Sequence, residues 1–344
     1  MYIRTLTRIV PHMISALLLT CVGALTQAGE LTIYSSVEGD NLKDFAAKFT
    51  QAHPSIKVNW VRDSTGVIQA RAVAEKENPR NDVFFGHAAT NMLALDAMNL
   101  FLPYAPKGLD KLDTRYHDPK SPPTWTGLWG FASAICFNTI EAKKRNIPKP
   151  EHWADLTKSA YKGQITMPNP ASSGTGFLNV SGWLQMWGPE KAWMFMDQLD
   201  QNIASYSHSG SKPCEQVATG EYVVGISLPW RAATLKTMGA PIEIVIPEEG
   251  IGWEMQAVAI MKNTKNPEDA KTFVDWAVSE AAMDAYAKRV EVVAYPVKSQ
   301  GTTNLPPELA SRMIKNDFAW AAQNHPEIIA QWRKRYDVKT EVKK

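Results

Sequence analysis

The chain has 344 residues, with 37 Lys and Arg against 35 Asp and Glu and a formal net charge of +2. So small a net charge argues against nucleic acid or an anionic membrane surface as the main partner. The length exceeds the roughly 250–300 residues that one hydrophobic core serves, so two lobes are expected.

In chain order, the first signal is a targeting segment. Arg4 and Arg8 precede a short apolar stretch, Met13 to Leu25, and Thr26-Gln27-Ala28 follows with small residues where a signal peptidase reads. A secretory signal peptide is expected over residues 1–28, with a periplasmic destination. Thr20, not Gly or Ala, stands before Cys21, so a lipid anchor is not expected. Removal of residues 1–28 leaves 316 residues with 35 basic and 35 acidic side chains. No later apolar run approaches the roughly 20 residues of a membrane helix.

Strand and helix patterns then alternate. LTIYSS (31–36) reads as a strand, and DNLKDFAAKFTQAH (40–53) has helical spacing at Leu42, Phe45, Ala46 and Phe49. IKVNWVRDS (56–64) and NDVFFGHA (81–88) read as strands, each followed by a helix-compatible segment. This βαβαβα order predicts an α/β fold with parallel strands covered by helices. A second set follows: FASAICFNT (131–139), GQITMPNP (163–170), NIASYSHSG (202–210), YVVGISLP (222–229), IEIVIPEEG (242–250) and AVAIMK (257–262) as strands. PEDAKTFVDWAVS is a helix with proline near its start, and the C-terminal NDFAWAAQNHPEIIAQWRKRY is a helix interrupted by Pro326. The chain shows no repeat or polar linker. Two lobes, each a mainly parallel sheet flanked by helices, are therefore expected to be joined by crossover strands near 131–139 and 250–260. Residues 29–132 and 256–344, including the C-terminal helices, would form the first lobe, and 133–255 the second.

Cys136 and Cys214 are either a disulfide, which export permits, or two buried thiols. With no histidines beside them they make a poor metal site. No metal or cofactor is expected.

In open α/β sheets, ligands sit beyond the carboxyl ends of the strands, where loops lead into helices. Those places hold Ser35, Ser36 and Glu38, then Asp63, Ser64, Thr65 and Gly66, then His87 and Thr90. In the second half they hold Ser172, Ser173, Gly174 and Thr175, then Ser207 to Lys212, and finally Leu228, Trp230 and Arg231. Hydroxyls and glycines dominate. Helix N-termini carry unpaired N–H groups and partial positive charge, so such loops suit a phosphate-like or carboxylate group. Ordinary helix capping explains any one of these serines. Ser172-Ser173-Gly174-Thr175 supplies more donors than capping requires. It lacks the lysine of a nucleotide-binding P-loop. Glu38 in such a crevice is either a solvated helix-start carboxylate or the partner of a ligand cation. The second case would make the ligand a zwitterion. The ring of Trp230 could cover its ammonium or alkyl part. Arg231 and Lys212 could add positive charge.

Several stretches carry a resemblance: SSVEGDN (35–41), VRDSTGVI (61–68), PYAPKGLDKLD (103–113), AICFNTIEAKK (134–144), YKGQITMPNPASSGTGFL (161–178), HSGSKPCE (208–215) and GAPIEIVIPEEGIGW (239–253). In these the chain resembles periplasmic solute-binding proteins of ABC transporters, in particular the 2-aminoethylphosphonate-binding branch of the ferric-ion-binding-like family. The resemblance implies a type II two-lobed binding-protein fold, a monomer that closes on one small ligand, and delivery to a membrane permease. It implies a phosphonate held by Ser64, Thr65 and the 172–175 loop, and an amine facing Glu38. Ser35, Ser209, Ser211, Trp230 and Arg231 complete the expected ligand-binding set. The chain departs from the family at Leu228-Pro229-Trp230 and at the paired Ser35-Ser36, which bears on ligand choice. Ferric-ion binders use adjacent tyrosines near the segment GISLPWRA, and no Tyr-Tyr pair occurs in this chain. A sugar phosphate is an alternative ligand. An exported phosphoester or phosphonate hydrolase is an alternative function, but no Ser/His/Asp set or metal-ligand spacing supports it beyond the adjacent His208 and Ser209.

Overall fold

The computed structural model describes residues 30–298 and 302–342. The expected signal peptide lies outside the described residues.

The first sheet begins with β1 (Glu30–Ser35), α1 (Gly39–Ala52), β2 (Lys57–Arg62), α2 (Thr65–Ala74), β3 (Val83–Ala88), α3 (Ala89–Asp96), β4 (Phe101–Leu102) and β5 (Thr126–Ala132). The chain then builds a second sheet from β6 (Ala134–Asn138), α4 (Thr139–Arg145), β7 (Ile165–Pro168), α5 (Gly174–Asp200), β8 (Ile203–Ser207), α6 (Lys212–Ala218), β9 (Val224–Ser227), α7 (Pro229–Thr237) and β10 (Ile242–Val245). It returns to the first with β11 (Trp253–Met261), α8 (Pro267–Ala277), α9 (Glu280–Ala287) and β12 (Val292–Val293), and ends in α10 (Leu309–Arg312) and α11 (Phe318–Tyr336). The strand order is β12-β5-β11-β3-β1-β2, with β4 also on β11, in one sheet and β10-β6-β9-β7-β8 in the other.

The two-lobed α/β architecture is as expected, but the sheets are mixed, not mainly parallel. Pairs β1–β2, β1–β3, β7–β8 and β7–β9 are parallel. The strands that carry the chain between lobes, β5, β6 and β11, run against their neighbours. β6 and β11 start at the cleft, where the parallel strands of each sheet end, so they run against those strands.

Only Ser133 separates β5 from β6, and its N–H donates to Gly252 O (3.1 Å) just before β11. Both crossovers lie on α5. The Ser133 hydroxyl bonds Asn179 (2.6 Å), and a Cβ on Gly252 would fall 2.2 Å from Leu178 O, so only glycine allows this approach.

Each sheet has its own core. The α1 spacing places Leu42, Phe45 and Phe49 on one buried face, and they join Phe84, Phe85, Phe273 and Tyr286 in the first core. The second core holds Trp153, Trp183, Phe195 and Tyr206. A small third cluster, Phe131, Leu178, Leu228 and Trp230, bridges the lobes.

The C-terminal helices differ from expectation. Ile328, Ile329, Trp332 and Tyr336 of α11 belong to the second core, not the first, and Trp332 meets Tyr206 edge to face at 4.9 Å. α11 also runs through Pro326 without a break. An internal proline costs about 3 kcal/mol, and burial of several large side chains on this face offsets it at about 1.5–3 kcal/mol each. Cys136 and Cys214 form a disulfide between β6 and α6, with Cα atoms 5.5 Å apart.

Candidate functional site

The strand ends of both sheets face one another across a cleft of about 530 Å³ of empty space, its mouth included. The N-terminal residues of α1, α2, α5 and α7 line it: Glu38, Ser64 and Thr65, Ser173 and Gly174, and Leu228 with Trp230. Four helix N-termini thus point their partial positive charge at one volume.

Part of the lining is a cradle of amides and hydroxyls. A Cβ on Gly174 would lie 2.8 Å from Thr65 Oγ1, and one on Gly210 would lie 2.3 Å from Thr175 Oγ1. The first contact joins the two lobes, and the second packs two loops of the second lobe together. Ser173 caps α5 by accepting from Gly176 N (3.5 Å), which leaves its own proton to donate. The first N–H groups of α5, at Gly174 and Thr175, have no intrahelical partner by helix geometry.

The lobes are also joined directly. Gly66 N donates to Ser172 O (2.9 Å), and Ser64 Oγ donates to His208 O (2.9 Å). On the other flank Trp230 N donates to Glu291 Oε1 (3.1 Å), and Arg231 bridges Glu215 (2.6 Å) and Asp40 (3.2 Å).

The cleft also holds one carboxylate. Glu38 pairs with Arg62 at 2.9 Å. Burial raises the Glu38 carboxyl above its ordinary value; Arg62 opposes the shift and nearby Glu215 adds to it. Arg62 lines the cleft beside Glu38, whereas Asp40, Glu215 and Arg231 line a neighbouring pocket that Glu38 also borders. Trp129, Phe131 and Trp230 give the cleft its apolar wall.

Of the expected set, Glu38, Ser64, Thr65, Ser173, Gly174, Thr175 and Trp230 line the cleft. The others are engaged around it. Ser35 is fully buried and accepts from Val37 N (3.2 Å). Ser172 Oγ meets His208 Nδ1 at 2.9 Å. Ser209 and Ser211 bond each other at 3.1 Å. Ser211 and Arg231 line a smaller adjoining pocket. Lys212 pairs with Glu341. His87 is buried against Ser36 (3.2 Å), and burial lowers it to about 3, so it stays neutral.

Sequence reading passed over Arg62, Asn41, Gln256, Trp129 and Phe131, all of which line the cleft. A signal existed for Arg62. It pairs with Ser35 at the end of the parallel β1–β2 ladder, so it must emerge at the same edge as Glu38. The others depend on strand facing and helix phase, which only the assembled sheets define.

Among the described residues no group of three or more His, Cys, Asp or Glu is placed to hold a metal ion. No described helix is long and apolar enough to cross a membrane.

Residues 79–322 match the bacterial extracellular solute-binding protein family. The chain belongs to that family. It is therefore a substrate-binding protein of an ABC transporter, not an enzyme, and it takes a small-molecule ligand to a permease. An uncharacterized protein of Haemophilus influenzae is 29% identical over 322 residues, covering 90% of this chain and 91% of the relative. A probable ABC transporter periplasmic-binding protein of Sinorhizobium fredii is 27% identical over 76% of this chain and 73% of its own. Among solved structures, the periplasmic binding protein AfuA of Actinobacillus pleuropneumoniae, with fructose-6-phosphate bound, superposes with a TM-score of 0.83. It is 29% identical, and the match covers 90% of this chain and 99% of AfuA.

Proposed function

We propose that this solute-binding protein is exported to the periplasm, binds 2-aminoethylphosphonate and presents it to its permease. The observation that carries this reading is the make-up of the cleft, where helix-start amides and hydroxyls share one volume with a single carboxylate, Glu38. The phosphonate accepts from the α5 N-terminal amides and from the hydroxyls of Thr65, Ser173 and Thr175. The Ser64 hydroxyl is already committed across the cleft, so it helps hold the lobes together. The ammonium faces Glu38, whose burial penalty falls when a second cation joins Arg62. Trp230 covers the ethylene link. Charge-assisted hydrogen bonds are worth roughly 1.5–3 kcal/mol each. Four or five of them support a micromolar affinity, about −8 kcal/mol, after the cost of association.

A phosphorylated sugar is the second reading, favoured by the fructose-6-phosphate in AfuA. Titration calorimetry separates the two, using 2-aminoethylphosphonate, ethylphosphonate, inorganic phosphate and fructose 6-phosphate. The proposal expects 2-aminoethylphosphonate to bind tightest. It also expects Glu38→Gln to weaken that ligand about tenfold or more while leaving ethylphosphonate unchanged. Tighter binding of fructose 6-phosphate would overturn it. The cradle is tested by Ser173→Ala with Thr175→Val, which should weaken every phosphonate in the panel.

A further inference from the structure

Two buried acceptors in the cleft have nothing to accept from. Asn41 Oδ1 and Gln256 Oε1 have no hydrogen-bond partner among the described residues, and the two side chains are 97% and 93% buried. Both line the cleft. Leaving a buried acceptor unsatisfied is expensive enough that each one calls for an explanation.

Their position supplies one. Glu38 is the N-cap of α1 and Asn41 lies three residues further on, so the two side chains share one face of the first turn. Gln256 stands opposite Trp129 in the β5–β11 ladder, and Trp129 lines the same cleft. The cleft therefore presents a carboxylate and two amide oxygens as acceptors, with the Arg62 guanidinium already paired to the carboxylate.

We infer that Asn41 and Gln256, together with Glu38, form a three-acceptor seat that selects a primary ammonium over its N-methylated forms. This rests on the proposed function and specifies the recognition of its nitrogen. A primary ammonium carries three N–H donors, one for each acceptor. A trimethylammonium carries none. The aromatic wall of Trp129, Phe131 and Trp230 would by itself suit a methylated cation, through contact with ring faces. The amide oxygens decide against it, because a methylated nitrogen would leave them buried and unsatisfied.

The test is a ligand series on the wild-type protein by titration calorimetry: 2-aminoethylphosphonate, its N-methyl and N,N,N-trimethyl forms, and ethylphosphonate. The trimethyl form should bind about 10- to 100-fold more weakly than the primary amine, with the monomethyl form between them. Asn41→Leu and Gln256→Met should each shrink that ratio severalfold and weaken 2-aminoethylphosphonate more than ethylphosphonate. Circular dichroism and thermal melts check that both variants fold. If either variant fails to fold, the wild-type series decides. Equal or tighter binding of the trimethyl form overturns this inference alone, since the phosphonate reading would survive. Absence of binding to every phosphonate overturns both.

Discussion

Gly66 sits in the first turn of α2, and its replacement by alanine probes how the lobes close. An added Cβ would lie 2.2 Å from Ala171 O and 2.9 Å from Ser172 Cα, both backbone atoms of the opposite lobe. Ordinary contact needs roughly 3.5 Å, so the lobes must part by about 1 Å at this point. That displacement stretches the Gly66 N to Ser172 O bond, now 2.9 Å, beyond hydrogen-bonding range. It also pulls the α5 donors away from any ligand held by Thr65. Loss of the interlobe bond and of one or two charge-assisted contacts amounts to about 3 kcal/mol, or roughly a 100-fold rise in Kd. The ligand-free protein responds in the opposite direction. Once the lobes open, the alanine occupies solvent in a helix, and Gly→Ala in a helix stabilises by up to about 1 kcal/mol. Titration calorimetry with 2-aminoethylphosphonate and thermal melts of the free protein measure the two effects separately. Affinity within threefold of wild type, or a free protein destabilised by several kcal/mol, would refute the reasoning.

Two further outcomes are expected. Burial raises Glu291 from 4.5 to about 8, so the folded protein holds this proton more tightly than the unfolded chain. Its contribution is full below about pH 4.5 and is lost as pH rises towards 8. The wild-type Tm should therefore fall more steeply between pH 5 and 8 than that of Glu291→Gln, which keeps an acceptor for Trp230 N; parallel curves would contradict this. The Cys136–Cys214 disulfide closes a 78-residue separation, and its replacement by two alanines should cost about 2–4 kcal/mol in chemical unfolding. A non-reducing digest that finds both thiols free in the wild-type protein would count against the bridge.

Much of the fold was legible because its signals are local. LTIYSS, IKVNWVRDS and NDVFFGHA became β1, β2 and β3 nearly as read, since alternation and helical spacing act within ten or so residues. The Ser172–Thr175 loop and Glu38 were legible for the same reason: a strand end running into a helix start marks itself. Other features depend on partners far along the chain. Ser35 and Ser209 looked like site residues from their place at strand ends, yet each is taken up by a neighbour two residues away. Arg62 looked like an ordinary strand residue, yet it pairs with Glu38 at the cleft.

Length and periodicity therefore specified the kind of protein: α/β, two-lobed and lined with helix-start donors. Tertiary structure decided the direction of the crossover strands, the assignment of α11 to the second core, and the meeting of Asn41, Gln256 and Glu38 in one cleft. The reason is physical. A turn of helix or a strand is set by nearest neighbours, whereas a binding site is set by register and packing between segments more than 200 residues apart, as with Asn41 and Gln256.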